Sequence, residues 1–179
     1  LLTSGFGIGG LLKQSPEDFF VDEVPAYDAS GEGEFLFLHI EKRGIPTPDL
    51  LRHIERVLSL KQTEVGCAGR KDAQAVTRQY VSVPASVSDL IEKIDSDQIK
   101  VLSTKQHTNK LKTGHLRGNR FRIVVRDAVA NADQLTQSLV SEIQQTGFPN
   151  YFGEQRFGNA GTTDDLGFRL LRGERTRRL

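Results

Sequence analysis

The chain has 179 residues, of which 37% are hydrophobic and 26% are charged, and its formal net charge is +1. This length and composition indicate a soluble globular protein of one domain or slightly more, and no apolar run approaches the ~20 residues of a membrane-spanning helix. The single cysteine, Cys67, excludes an intrachain disulfide and favours a reducing, cytoplasmic location.

The amino-terminal segment is rich in glycine. Residues 5–10 formally match the pattern G-x-G-x-x-G, which binds a dinucleotide only when it lies between a strand and a helix. Four residues precede it and Pro16 follows it, so we predict a flexible lead-in. A nucleotide-dependent enzyme or a phosphotransferase is one alternative, and it predicts binding of ATP or NAD. The chain begins with Leu1 and contains no methionine, from which we expect a trimmed or incomplete chain.

Two strands and a helix are predicted next. Residues 19–24 form a short strand ended by Pro25. Residues 34–41 are a nearly continuous apolar run, which predicts a strand that is covered on both faces and central in the sheet. A helix then begins with Thr47 as its N-cap and Pro48 as its first helical residue. One apolar stripe runs along this helix, formed by Leu50, Leu51, Ile54, Val57 and Leu58.

The loop that carries Asp72 is the most distinctive stretch of the chain. It lies between two predicted strands, residues 65–68 and 76–83, and a sheet that holds such a loop suits a catalytic residue. Three cations, Arg70, Lys71 and Arg78, lie near Asp72 in the sequence and favour the ionised carboxylate. An ionised carboxylate on a loop can act as a nucleophile or a base. The alternative is an exposed turn whose Asp pairs with a neighbouring Arg and has no other role.

The second half of the chain contains a basic segment. A short helix is predicted at residues 88–94 and strands at residues 99–105 and 119–127. Residues 105–126 contain seven Lys or Arg and no acidic residue, whereas residues 14–41 contain eight acidic residues and no Lys or Arg. The basic segment is typical of a phosphate-binding surface, and a solvated basic face is the alternative. Phe121 lies on the apolar side of its strand, so a core position is the alternative to a functional role.

A second helix and an aromatic segment follow. The helix covers residues 133–146 and stops at Gly147. Its side chains predicted to face inward are Leu135, Leu139, Val140 and Ile143. Residues 148–158 combine aromatic side chains with polar ones, which is consistent with a packed aromatic turn or with a surface that stacks nucleic-acid bases.

Five short motifs, taken in order, resemble the TruD family of tRNA pseudouridine synthases. They are Lys13 with residues 16–19, residues 30–34, residues 69–72 with 75–77, residues 116–121, and residues 149–158. The resemblance implies an α+β, pseudouridine-synthase-like fold with a mostly antiparallel or mixed sheet and helices on one face. Because chains of that family continue further, it also implies an incomplete fold: residues 1–179 would be the N-terminal part of the catalytic domain, with an inserted domain and the C-terminal part absent.

The same resemblance implies the activity and its residues. Members isomerise a uridine of tRNA, uridine 13 in bacteria, to pseudouridine without a cofactor. The resemblance makes Asp72 the catalytic residue, and the residues that contact the substrate would be Phe19, Asn119, Phe121 and Lys13. The basic segment would contact the RNA backbone through Lys105, Lys110, Lys112, Arg117 and Arg120. The four histidines and one cysteine lack the spacing of metal ligands, so no metal is expected.

The chemical route and one competing function stay open at this point. Asp72 could trap C1′ covalently, stabilise positive charge there, or abstract a proton from the sugar. The competing function is a non-catalytic RNA-binding module, which shares the basic segment and the aromatic side chains but gives Asp72 no role. The oligomeric state is not specified by the sequence.

Overall fold

The computed structural model describes residues 7–149, 151 and 163–173. These residues fall into two compact units, one within residues 9–130 and the other including the described residues from Asn131 onward. None of the described helices combines the length and the hydropathy needed to cross a membrane.

The first unit is built on one six-stranded mixed sheet. Its strands are β1 (Phe19–Pro25), β2 (Phe35–Arg43), β3 (Gly66–Cys67), β4 (Val76–Pro84), β5 (Ile99–His107) and β6 (Leu116–Ile123). The strand order is β5-β2-β4-β1-β6, and β3 pairs with β4. β1 and β4 are parallel, and the other pairs are antiparallel. The predicted mixed, mostly antiparallel sheet is therefore confirmed, as is the interior position of the second strand.

Two helices cover one face of this sheet and enclose the core. They are α1 (Thr47–Val57) and a 3-10 helix (Ala85–Ile94). Successive strand residues point to opposite faces, so Leu36 and Leu38 of β2 point into this core beside their register partners Val83 and Val81 of β4. The predicted apolar stripe of α1 supplies Leu50, Ile54 and Leu58 to the same core. Fully burying each such side chain contributes about 1.5–3 kcal/mol.

The start of α1 differs from the prediction by one residue. Pro46 is the N-cap, and Thr47 is the first residue of the helix. Thr47 is buried, and its hydroxyl is occupied by the loop that carries Asp72, where it accepts a hydrogen bond from the backbone N–H of Lys71 at 2.8 Å. A tertiary contact has replaced the local capping bond that sequence alone suggests.

The sheet topology brings four chain segments to one end of the sheet. Because β1 and β4 are parallel, their first residues lie side by side, with Phe20 opposite Val76. The antiparallel neighbours β6 and β2 run the other way, so they bring their last residues to the same end. There Ile123 lies opposite Phe19, and Arg43 lies opposite Val76. The segments that enter β1 and β4 therefore lie beside the ends of β2 and β6.

Among the described residues of the second unit are two helices, α2 (Ala132–Thr146) and α3 (Thr163–Leu171). The prediction of α2 is confirmed, including its stop at Gly147, whose φ of +79° favours glycine. The four side chains predicted to face inward are not buried: Val140 is 47% exposed, and the other three are half-buried. A helix buries only as much of its apolar stripe as neighbouring elements cover. Most of the aromatic segment at residues 148–158 lies outside the described residues.

Candidate active site

Asp72 lies on the loop between β3 and β4, at the end of the sheet where the four segments meet. Its carboxylate is 3.6 Å from the ammonium group of Lys13, and the two side chains are 42% and 32% exposed. Solvent screens a pair with this exposure, so the ionic contact is weak enough to be exchanged for a ligand. The carboxylate is accessible and lies near a cation from a distant part of the chain.

Two aromatic rings continue the site from Lys13. The Lys13 ammonium lies 4.0 Å from the centre of the Phe19 ring, and the rings of Phe19 and Phe121 meet edge to face, with their centroids 5.9 Å apart. Phe121 is 53% exposed, which argues against the alternative that it is a core side chain. Consecutive contacts thus connect Asp72 to Lys13, Lys13 to Phe19 and Phe19 to Phe121. The carboxylate lies at one end of this row and the exposed aromatic ring at the other.

Asn119 lies on the same face of β6 as Phe121. It stands opposite Glu23 in the register of β1 and β6, and Phe121 stands opposite Val21. Since side chains alternate along a strand, residues 119 and 121 share one face of the sheet. Asn119 is exposed. The structure therefore brings the four predicted substrate-contacting residues, Lys13, Phe19, Asn119 and Phe121, to the face on which Asp72 opens.

The cations that flank Asp72 in sequence do not all surround it in space. Lys71 points inward and forms an ion pair with Glu23 at 2.5 Å, and both side chains are almost completely buried. Arg78 lies on the opposite face of the sheet from this pair, where its Nε donates to Glu41 at 2.8 Å. Lys71 and Arg78 were expected to favour the ionised carboxylate of Asp72, but each pairs with another residue, and Asp72 pairs with Lys13, which is remote in sequence.

A buried lysine holds the backbone of the loop that carries Asp72. Lys42, at the end of β2, is fully buried, and its ammonium donates to the carbonyl oxygens of Ile45 at 2.6 Å and Asp72 at 2.7 Å. Burial lowers the pKa of Lys42 to about 8; the Asp72 carboxylate opposes this shift and Lys71 adds to it. Lys42 was not among the site residues predicted from the sequence. The alternation of Leu36, Leu38 and Ile40 places Lys42 on the buried face and was the signal that could have identified it.

Thr47 holds the neighbouring residue of the same loop. Its hydroxyl accepts from the Lys71 N–H at 2.8 Å and donates to the side-chain oxygen of Gln79 at 3.1 Å. Gln79 is fully buried on β4. The backbone at residues 71 and 72 is therefore fixed from inside the protein by β2, α1 and β4 together.

The segment that carries Lys13 is anchored by a second buried carboxylate. Asp18 receives two hydrogen bonds from the Arg126 guanidinium, at 2.8 and 2.7 Å, and one from the backbone N–H of Ser15 at 3.1 Å. The Arg126 hydrogen bonds are the largest cause of an Asp18 pKa below its ordinary value, and burial opposes them. Lys13 itself adopts a φ of +54°, a left-handed conformation that is uncommon for lysine. The anchored segment holds Lys13 in this conformation beside Asp72.

The five cations predicted to contact an RNA backbone do not form one cluster. Lys105 lies on β5, at one edge of the sheet, whereas Arg117 and Arg120 lie on β6, at the other edge. Lys110 and Lys112 follow β5 and line a cleft of about 970 Å³. Two further cations, Arg52 and Arg70, line the same cleft, and Arg70 is two residues from Asp72. This cleft is the basic surface that adjoins the loop.

Two other classes of site find little support in the part of the chain that the structure describes. Among these residues there is no group of three or more His, Cys, Asp or Glu side chains arranged to hold a metal ion. Gly7 to Gly10 are not followed directly by a helix, and the first α-helix begins at Thr47. A phosphate-binding loop requires a helix at that point.

Comparisons with known proteins identify one family. A family model described as tRNA pseudouridine synthase D (TruD) matches residues 1–177. The chain is 44% identical to the tRNA pseudouridine synthase D of Syntrophotalea carbinolica over 90% of this chain and 40% of that protein. It is also 44% identical to the tRNA pseudouridine synthase D of Geobacter metallireducens, over 97% of this chain and 43% of that protein. The chain spans about two fifths of the length of these relatives.

A solved structure has the same fold. It is the putative tRNA pseudouridine synthase D of Methanosarcina mazei, which superposes with a TM-score of 0.82 at 34% sequence identity. The superposition covers 97% of this chain and 41% of that chain.

Proposed function

Because the chain belongs to the tRNA pseudouridine synthase D family, we propose that the protein isomerises a uridine of tRNA to pseudouridine with Asp72 as its catalytic carboxylate. The observation that carries the proposal is the placement of Asp72 beside Lys13 on the face that presents Phe19 and Phe121. The resemblance points to uridine 13 as the target. Within this proposal, residues 1–179 supply the N-terminal part of the catalytic domain, and the protein acts in the cytoplasm.

The reaction needs a carboxylate but no redox group. The bond between uracil N1 and C1′ of the sugar breaks, a bond forms between C5 and C1′, and the proton lost from C5 is balanced by one gained at N1. Asp72 would act at the sugar, by trapping C1′, by stabilising positive charge there, or by removing a sugar proton. Each route uses the ionised form. The accessible carboxylate beside Lys13 supplies it.

The aromatic surface would receive the target base. A base inside folded RNA must leave its stack, which costs a few kcal/mol, and it is then stabilised by stacking and by hydrogen bonds to its edge. Phe19 and Phe121 offer the ring surface, and Asn119 on the same face offers an amide for the base edge. Lys13 would orient the Asp72 carboxylate from the side of the Phe19 ring.

The phosphate backbone would be held next to the loop. Lys110 and Lys112, together with Arg52 and Arg70, line the cleft beside the loop that carries Asp72, and cations grouped in this way bind phosphates with a strong dependence on salt. Lys105, Arg117 and Arg120 lie on the two edge strands and would contact more distant parts of a large RNA.

Asp72→Asn tests the catalytic assignment. The amide keeps the shape of the side chain and loses its charge, so we expect tRNA binding to persist and turnover of the full-length protein to fall by at least about 1,000-fold. The assay is the release of tritium from C5 of uridine in tRNA. The matched control is Asp97→Asn, which changes an exposed Asp remote from the loop in sequence. Pseudouridine formed at the wild-type rate by Asp72→Asn would refute the assignment, and a wild-type protein that binds tRNA without turnover would favour the RNA-binding module.

A further inference from the structure

The backbone of the Asp72 loop is held by two buried side chains that reach it from different elements. Lys42 of β2 donates to the Asp72 carbonyl oxygen at 2.7 Å, and Thr47 of α1 accepts from the Lys71 N–H at 2.8 Å. These two contacts lie on consecutive residues of the loop. Both residues are at most 1% exposed, so they present almost no surface to an RNA substrate.

Burying the Lys42 ammonium costs free energy of hydration, so its contacts indicate what the lysine contributes at this position. An apolar side chain of similar length would fill the same volume without the cost of removing an ammonium group from water. What Lys42 adds is therefore its charge and its two hydrogen bonds, to the carbonyl oxygens of Ile45 and Asp72. The first bond ties the ammonium to the turn that leaves β2, and the second ties it to the residue with the reactive carboxylate.

We propose that Lys42 and Thr47 are positioning residues, which fix the backbone of residues 71 and 72 so that the Asp72 carboxylate faces the sugar of the bound uridine. The inference rests on the proposed function of Asp72. The two side chains act on the catalytic geometry through the backbone, whereas Lys13, Phe19 and Phe121 meet the substrate from the surface.

The order of the contacts explains why both are needed. The Lys71 side chain points inward, where it pairs with Glu23, whereas the side chain of Asp72 points outward and exposes its carboxylate. The reversal takes place between the N–H held by Thr47 and the carbonyl held by Lys42. Releasing either end lets the loop rotate, and a displacement of about 1 Å can lower catalysis about 100-fold.

The first test is Lys42→Met in the full-length protein, with Lys100→Met as the control. Lys100 is an exposed lysine on β5 that pairs with Asp95 at the surface. We expect Lys42→Met to lower kcat by about 100-fold while the KM and the Kd for tRNA stay at wild-type values. Lys100→Met keeps the wild-type kcat. A folded Lys42→Met with the wild-type kcat, or one whose loss appears in KM alone, overturns the proposal.

The second test does not depend on the folding of the lysine variant. Thr47→Val keeps the shape of the side chain and removes the acceptor for the Lys71 N–H, so kcat falls about tenfold, the effect of losing roughly one hydrogen bond. Thr47→Ser retains the hydroxyl and restores the wild-type kcat. If Lys42→Met does not fold, equal kcat values for the Val and Ser variants overturn the proposal. Failure of the wild-type protein to form pseudouridine would instead refute the proposed function, and the two results cannot be confused.

Discussion

Replacing Glu23 by Gln removes the negative charge that neutralises Lys71 in the interior of the first unit. The two side chains are 1% and 4% exposed, and their charged atoms are 2.5 Å apart. At an effective dielectric constant of about 20, two unit charges at this distance attract each other by about 7 kcal/mol. Taking each ion out of water costs several kcal/mol, so the intact pair is close to balanced. Removing one partner leaves the other charge uncompensated.

The expected loss of stability is about 3–5 kcal/mol, because Lys71 stays buried without its counter-charge. Gln at position 23 can still accept the backbone N–H of Tyr80, which Glu23 now accepts at 3.1 Å, so the loss comes from the charge. The double variant Glu23→Gln with Lys71→Met removes both charges and recovers most of the stability. It also separates an electrostatic effect from a packing effect.

Urea unfolding of the full-length protein, followed by far-ultraviolet circular dichroism, measures this effect. With a slope of about 2 kcal/mol per molar urea, Glu23→Gln lowers the midpoint by about 2 M. The control is Glu41→Gln, which breaks the partly exposed ion pair with Arg78. This change should lower the free energy of unfolding by at most about 1 kcal/mol. If Glu23→Gln and Glu41→Gln unfold at the same midpoint, and the double variant does not recover, the reasoning about the buried charge is wrong.

Two further changes test the aromatic surface and the anchor of Lys13. Phe121 is 53% exposed, so we expect Phe121→Ala to lower turnover and to reduce the free energy of unfolding by less than the 3–5 kcal/mol typical of a core site. If urea unfolding instead shows a loss of several kcal/mol, Phe121 is a core side chain. The Asp18 pKa is lowered in the folded protein, so its bonds to Arg126 stabilise the fold above the unfolded pKa of about 4, and this contribution disappears as the pH falls through the folded value. Arg126→Met should therefore have a lower melting temperature than wild type at pH 7, and the difference should shrink below about pH 4; a difference independent of pH contradicts this account.

Hydrophobic periodicity predicts most of the fold because local patterns dictate which side chains are buried. The apolar run that becomes β2 and the stripe of α1 both occur in the structure, within one or two residues. Thr47 illustrates the limit of such patterns. Its type and position suit a helix cap, but its hydroxyl accepts a hydrogen bond from the backbone N–H of Lys71, in a loop that follows later in the sequence. Local preference gives way wherever a tertiary partner offers a buried hydrogen bond.

The composition of the candidate site is less predictable from spacing. Lys13 and Asp72 meet because β1 and β4 are parallel neighbours, and neither residue carries a local signal of that pairing. The family resemblance, and not periodicity, assigned both residues to one site. The basic segment illustrates the reverse case. Residues close in sequence, such as Lys105 and Arg120, are separated because β5 and β6 lie at opposite edges of the sheet.

The parallel pairing of β1 with β4 also sets when the site can form during folding. Phe20 of the first strand pairs with Val76 of the fourth, so the chain between them must close as a long loop before Lys13 and Asp72 can meet. Contacts between such distant residues form slowly compared with helices and hairpins. Recovery of activity after dilution from denaturant should thus lag behind recovery of helical signal, because the carboxylate reaches its cation only when the centre of the sheet has closed.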